Sequence, residues 1–174
     1  MFRKMRRHKQ ELSEEECIEI LANEPRGVLA LLGDNDYPYA LPMSHVFVDG
    51  KIYFHGAMEG HKNDAIKKHD KVSYCVMDSG VKKEDSWWYT FRSVIIFGKI
   101  KTIADKKEKI DRLTYLGDKF FPTHEETVRE IDRLLDKTEV FEITIDHILW
   151  KNCSGKIGYV FWSEIKYGET YLIS

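Results

Sequence analysis

A histidine and a lysine, His61 and Lys62, follow an apolar run and a glycine-bearing turn, Tyr53-Phe54-His55-Gly56-Ala57-Met58-Glu59-Gly60. The pattern predicts a strand, a turn and the first residues of a helix. Backbone N–H groups at a helix N-terminus, with cationic side chains beside them, suit a phosphate. A second stretch, Phe91-Arg92-Ser93-Val94-Ile95-Ile96-Phe97-Gly98, sets an arginine and a hydroxyl inside a β-rich run. Lys62, His61 and Arg92 are therefore candidate ligands of one phosphorylated group. His55 lies two residues after Tyr53, so the two share a strand face while Phe54 points the other way. An imidazole of ordinary pKa, ~6.5, could give a hydrogen bond or a proton to a bound molecule there.

Other chemistries fit less well. His45, His55 and His61 lack a carboxylate at ligand-like spacing, and no His-x-x-x-His occurs, so no metal is expected. Ser93 has no evident His and Asp partners for a hydrolytic triad. Cys17, Cys75 and Cys153 are odd in number and far apart, with no Cys-x-x-Cys pair. They argue against disulfides and structural zinc, and for a reducing, cytoplasmic setting. Trp87 and Trp88 could flank a ring-shaped ligand, with one of the pair in the core.

The elements that must hold these groups read as one domain over residues 1–174. Hydrophobic residues make 43% and charged residues 32%, ordinary for a globular chain. A net charge of -2 gives no reason to expect nucleic acid. The apolar runs, such as Val28 to Leu32, are far short of the ~20 residues that span a bilayer, so no membrane is expected. The basic start, Met1 to Lys9, runs into acidic residues, not into an apolar signal core.

Ser13-Glu14-Glu15-Glu16 is a capping box and predicts a short helix. Strands are expected at Val28 to Leu32, Tyr39 to Val48, Lys51 to His55, Val72 to Met77, Trp87 to Ile103 with a bend at Gly98, and Val140 to Leu149. Pro38 and Pro42 mark the second as an edge or irregular strand, and Asp49-Gly50 marks a tight hairpin. Helices are expected from Gly60 to His69, from Asp105 to about Leu116 behind a capping box, and from Thr123 to about Leu135. The last two form a helical insertion at about 105–136. Strands joined by short hairpins exclude a βαβ parallel sheet. An antiparallel barrel or sandwich with peripheral helices fits.

Three segments carry a family resemblance: Tyr53-Phe54-His55-Gly56-Ala57 with Gly60-His61-Lys62; Phe91 to Lys99; and Ile145-Asp146 with Ser154-Gly155-Lys156. In order and spacing they resemble the flavin-binding split-barrel family of the pyridoxamine 5'-phosphate oxidase type, and within it the nitroimidazole-resistance branch. The likeness runs from Gly27 to Lys156. It implies a mainly β (α+β) fold, a six-stranded antiparallel split barrel with peripheral helices, and a homodimer with flavin mononucleotide (FMN) at the subunit interface. It implies phosphate ligands at His61, Lys62 and Arg92, contacts near phosphate or ring at Ser93 and Val94, and a ring-lining strand at Met43, Ser44 and His45. Phe54, Ala57 and Gly60 belong to the same cofactor motif, and His55 would face the acceptor. Two departures stand out. His61 replaces the usual arginine, so its charge depends on pH. The third motif is lengthened, as Trp150-Lys151-Asn152-Cys153-Ser154-Gly155-Lys156.

The expected activity is reduction of a small acceptor, such as a nitroaromatic or a quinone, by an FMN-dependent oxidoreductase. No Gly-x-Gly-x-x-Gly fingerprint is present, so NADH or NADPH would bind transiently. Pyridoxamine-phosphate oxidation ranks lower, because the long Arg/His-rich C-terminal motif is missing between Tyr159 and Ser174. The competing readings are a flavin-binding protein without turnover, and a haem-binding relative with His55 or His45 as axial ligand.

Overall fold

A computed structural model describes residues 2, 12–82, 84 and 89–153. Trp87, Trp88 and the Ser154-Gly155-Lys156 segment lie outside the described residues.

Strand and helix signals in the sequence are local, and most become elements at the expected places. Ser13 caps α1 (Glu14–Asn23): its hydroxyl accepts from the Glu16 N–H, and the Glu16 carboxylate accepts from the Ser13 N–H. Then come β1 (Arg26–Leu32), β2 (Pro38–Ser44), β3 (Val46–Val48), β4 (Lys51–Ala57), α2 (His61–Lys68), β5 (Lys71–Met77), β6 (Val81–Lys82) and β7 (Tyr89–Thr102). A helical pair, α3 (Lys106–Phe120) and α4 (His124–Leu134), precedes β8 (Thr138–Cys153). Asp105 caps α3 by accepting from the Glu108 N–H, and Thr123 caps α4 by accepting from the Glu126 N–H. The α3 helix runs past Leu116 to Phe120, ending at the Pro122 break.

All pairings are antiparallel, in the order β2-β1-β5-β7-β8-β4-β3, with β6 hydrogen-bonded to β7. The sheet curls into a half-barrel of the split-barrel kind. It keeps the expected six strands and adds two short ones. The expected strand Tyr39 to Val48 divides at His45, because β2 pairs with β1 whereas β3 pairs with β4. The two-residue β6 supplies the other. The proline-bearing β2 is an edge strand, as its two missing N–H donors require. Asp49 and Gly50, with φ of 52° and 73°, make the hairpin between β3 and β4. β7 shifts register between Phe97 and Gly98, where a Cβ on Gly98 would run into the Thr144 carbonyl of β8.

The curled sheet has two packed faces. Ile52, Phe54, Tyr74, Val94, Ile96 and Phe141 fill the inner face, plugged at one end by Ala65 and Ile66 of α2. On the other side of β4, Tyr53 joins Val46, Val140 and Ile103 beneath Leu113 and Leu116 of α3. Each such fully buried apolar side chain contributes about 1.5–3 kcal/mol. Adjacent residues of β4 thus feed different cores, and that alternation places the site.

Candidate functional site

The turn after β4 is built to open a helix N-terminus. Asn63 Nδ2 donates to the Ala57 carbonyl at 3.1 Å and ties the end of β4 to α2. Gly60 sits at φ 121°, a conformation that side chains resist, and so carries no side chain to cap α2. The first-turn N–H groups therefore keep their donor capacity.

Lys62 folds back over the inner face from this turn. Its Nζ lies 4.2 Å from the Phe141 ring centroid and 5.6 Å from that of Phe54. A Cβ on Gly56 would run into that ammonium. Among the described residues no carboxylate stands within salt-bridge distance of Lys62. Burial lowers its pKa below the usual lysine range, opposed by the charge of Glu139. His61 is placed alongside but is held by the β1–β2 turn. Its ring stacks on Tyr39 at 4.3 Å, with Nε2 3.5 Å from Asp34 Oδ2.

His55 keeps the face it shares with Tyr53 and points toward the helical pair. There it lines a cavity of about 350 Å³ together with Ser44, Leu116, Ile131 and Leu134. Burial, then the Lys62 charge, lowers its pKa below the ordinary imidazole value. The shift favours the neutral imidazole, which donates one N–H. Lys62 and His55 are close enough to feel each other, yet they work on opposite faces of β4.

Arg92 and its neighbours stand apart within the chain. Arg92 Nε donates to Asp78 Oδ2 at 2.8 Å and Nη1 to Glu19 Oε2 at 3.2 Å. Ten positions of β7 separate it from Thr102, the partner of Phe141, a strand path of roughly 33 Å at ~3.3 Å per residue. Ser93 is buried next to Met77, and Val94 is in the inner core. The chain by itself does not bring Arg92, Ser93 and Val94 to Lys62.

His45 is fully buried at the break between β2 and β3. Its Nε2 donates to the Leu21 carbonyl at 2.9 Å, and Nδ1 lies 3.1 Å from the Tyr74 hydroxyl. That hydroxyl also lies 2.9 Å from the Met43 carbonyl. Burial, then the Lys119 charge, pushes His45 down to about 4. Both ring nitrogens are engaged, so the His45 side chain offers nothing to a flavin ring or a haem iron. Among the described residues no three His, Cys, Asp or Glu side chains gather as a metal set. No described helix is long and apolar enough to cross a membrane.

Sequence reasoning missed Glu142, which is 1% exposed and receives Lys51, Lys101 and the Tyr53 hydroxyl. Burial raises its pKa, and the two lysines more than reverse that. It missed the cavity as well, because α3 and α4 show only that they are amphipathic, not which strand they cover.

A pyridoxamine 5'-phosphate oxidase family profile matches residues 13–151. The chain belongs to that family. No curated protein matches it in sequence. Among solved structures, a conserved hypothetical protein from Mycobacterium tuberculosis shares 17% identity over 86% of this chain and 90% of its own, with a TM-score of 0.74. The flavocytochrome Anf3 from Azotobacter vinelandii shares 22% over 87% and 73%, with a TM-score of 0.71. A candidate 5-nitroimidazole antibiotic resistance protein from Bacteroides thetaiotaomicron shares 16% over 80% and 84%, with a TM-score of 0.66. At these identities the likeness is one of family fold. The sites within the family fold rest on this chain's own geometry.

Proposed function

We propose that this chain is a flavoprotein that binds FMN and reduces small acceptors such as nitroaromatics or quinones. One observation carries the reading: an ammonium, Lys62, with no carboxylate partner among the described residues, beside the uncapped first turn of α2. These groups fit the phosphate end of a flavin nucleotide. Family relatives support the flavin, since an FAD-binding protein from Mesorhizobium loti shares 23% identity with a TM-score of 0.61.

A bound flavin supplies reversible two-electron transfer. The residues of the chain bind and orient. Lys62 and the α2 amides hold the phosphate, with His61 beside them. The His55 N–H holds an acceptor oxygen, and the α3–α4 pair keeps water from that face of β4. A reduced nicotinamide is the proposed donor. A nitro acceptor that takes two electrons and two protons leaves as the nitroso compound and water.

The active form is proposed to be a homodimer. Across the outside of the sheet Val28 pairs with Cys75 and Cys75 with Ile95, an apolar row in which Val28 and Ile95 remain 38% and 36% exposed. A second subunit covering this row would bring Arg92 and the backbone of Ser93 and Val94 to a flavin held by the other chain. Sedimentation of a flavin-loaded monomer at micromolar concentration would overturn the dimer.

The absorption spectrum of the purified protein is the main test. Flavin bands are expected, with riboflavin binding more weakly than FMN. Equal affinity for both would show that Lys62 holds no phosphate. A Soret band would favour haem, with His55 as the available ligand. That alternative is kept open by the FAD and haem binding protein of Mycobacterium smegmatis, 22% identical with a TM-score of 0.68.

A further inference from the structure

We infer that the cavity between the α3–α4 pair and β4 is a binding site for an uncharged, flat, one- or two-ring molecule with a hydrogen-bond-accepting group at one end. The volume of about 350 Å³ lies at the small end of ligand pockets, which span ~300–1,000 Å³. Its walls are aliphatic, from Leu113, Leu116, Ile131 and Leu134. Phe120 and Phe121 stand at its edge, 43% and 41% exposed, as faces for a ring to stack on. Polar groups are few: His55, Ser44 and Thr138 bring an imidazole and two hydroxyls to the strand side, and Thr127 and Glu130 line the helix side. His55 is neutral there and offers a hydrogen bond without a charge.

Charge decides the ligand class. Among the described residues no lysine or arginine lines the cavity, and Glu130 is its one carboxylate. Arg133 answers Glu130 through Nε and Nη2 at 3.0 and 2.6 Å, from a side chain 65% exposed. An anion entering would lose its hydration and meet a carboxylate whose one cation, Arg133, is already engaged. Phosphorylated substrates of the kind that give the family its name are excluded on this ground. The cation that suits a phosphate, Lys62, lies on the other face of β4. Charged cofactor end and uncharged ring are thereby sorted to two sides of one strand.

The assignment of this site to the acceptor rests on the reductase reading; the binding site itself does not. The test uses the full chain as purified, with para-nitrotoluene and para-nitrobenzoate, which differ by a methyl against a carboxylate. Ligand-observed NMR and calorimetry should show para-nitrotoluene binding about tenfold or more tightly than para-nitrobenzoate. Ile131→Trp fills the cavity and should lower para-nitrotoluene affinity about tenfold while flavin content stays the same. Phe120→Ala, on a half-exposed edge residue, should weaken it in the same direction and decides the matter where the tryptophan variant does not fold. Equal affinity for the two probes, or unchanged affinity in the variants, overturns the site and leaves the reductase reading standing. Tight, variant-sensitive binding without reduction supports the site and overturns the reductase reading.

Discussion

Two histidines ten residues apart in the sequence meet opposite fates. His45 is sealed between α1 and the sheet, with the Leu21 carbonyl on one nitrogen and the Tyr74 hydroxyl on the other. His55, near the end of β4, lies over a cavity, with no described hydrogen bond. The same contrast divides the charged groups. Glu142 is buried and answered by Lys51, Lys101 and Tyr53, whereas Lys62 is half-buried and answered by aromatic faces alone. Buried polar groups that are fully bonded hold a fold together, and groups left open are available to a ligand. Residue type does not separate the two cases; the completeness of the hydrogen bonding does.

The sealed region should break hardest. His45→Ala orphans the Leu21 carbonyl, takes one of two partners from the Tyr74 hydroxyl and leaves a void, at a cost of about 3–4 kcal/mol. At ~2–4 °C per kcal/mol for a chain of this size, the melting temperature should fall by roughly 6–16 °C. A variant melting with the wild type would show that the pin holds nothing.

Acid should act on the same pin. The His45 pKa is pushed down to about 4 in the folded chain, against ~6.5 unfolded. Between those values the unfolded chain binds the proton and the folded one does not. The stabilisation is thus complete above pH ~6.5 and is lost as pH falls toward ~4, by about 3 kcal/mol from this residue. Denaturant titrations across that range should show the loss in the wild type, and a shallower one in His45→Gln. Identical pH profiles would remove His45 from the account.

The open region should answer in binding, not in stability. Lys62→Ala removes one charged hydrogen bond to phosphate, worth about 1.5–3 kcal/mol, or roughly 10- to 150-fold in FMN affinity. Riboflavin affinity should stay where it was; if both fall together, Lys62 supports the turn and not the phosphate. The smallest effect is expected at His55, an exposed side chain at the cavity. His55→Ala should leave stability within about 0.5 kcal/mol and flavin content unchanged. Acceptor reduction should slow about tenfold or more, as loss of a group acting on the transition state does. Wild-type rates with every acceptor would return His55 to the class of ordinary strand residues.

Much of this was legible in the sequence because its signals are local. Ser13 and Glu16 three residues apart make a cap whatever lies around them. The alternation at Tyr53, Phe54 and His55 fixes which side chains share a face. The glycine before His61 announces an open helix end. What was not legible depends on partners distant in the chain. Nothing near His45 says that β2 and β3 pair with different strands, and that switch is what buries it. Nothing near Arg92 names Asp78 and Glu19 as its partners. Nor does any local pattern tell that Lys62 turns back onto the Phe54 side while α3 and α4 cover the Tyr53 side.

The thinness of β4 has a consequence of its own. A single extended backbone does not stop an electric field, and the Lys62 charge already disfavours a proton on His55 across it. An anion settling on Lys62 cancels that repulsion, so the imidazole on the far side regains affinity for its proton. By thermodynamic reciprocity, protonating His55 must draw the anion in more tightly. Loading one side of the wall therefore sets the proton state of the other, and FMN affinity should rise as the solution is made more acidic within the range where the fold holds.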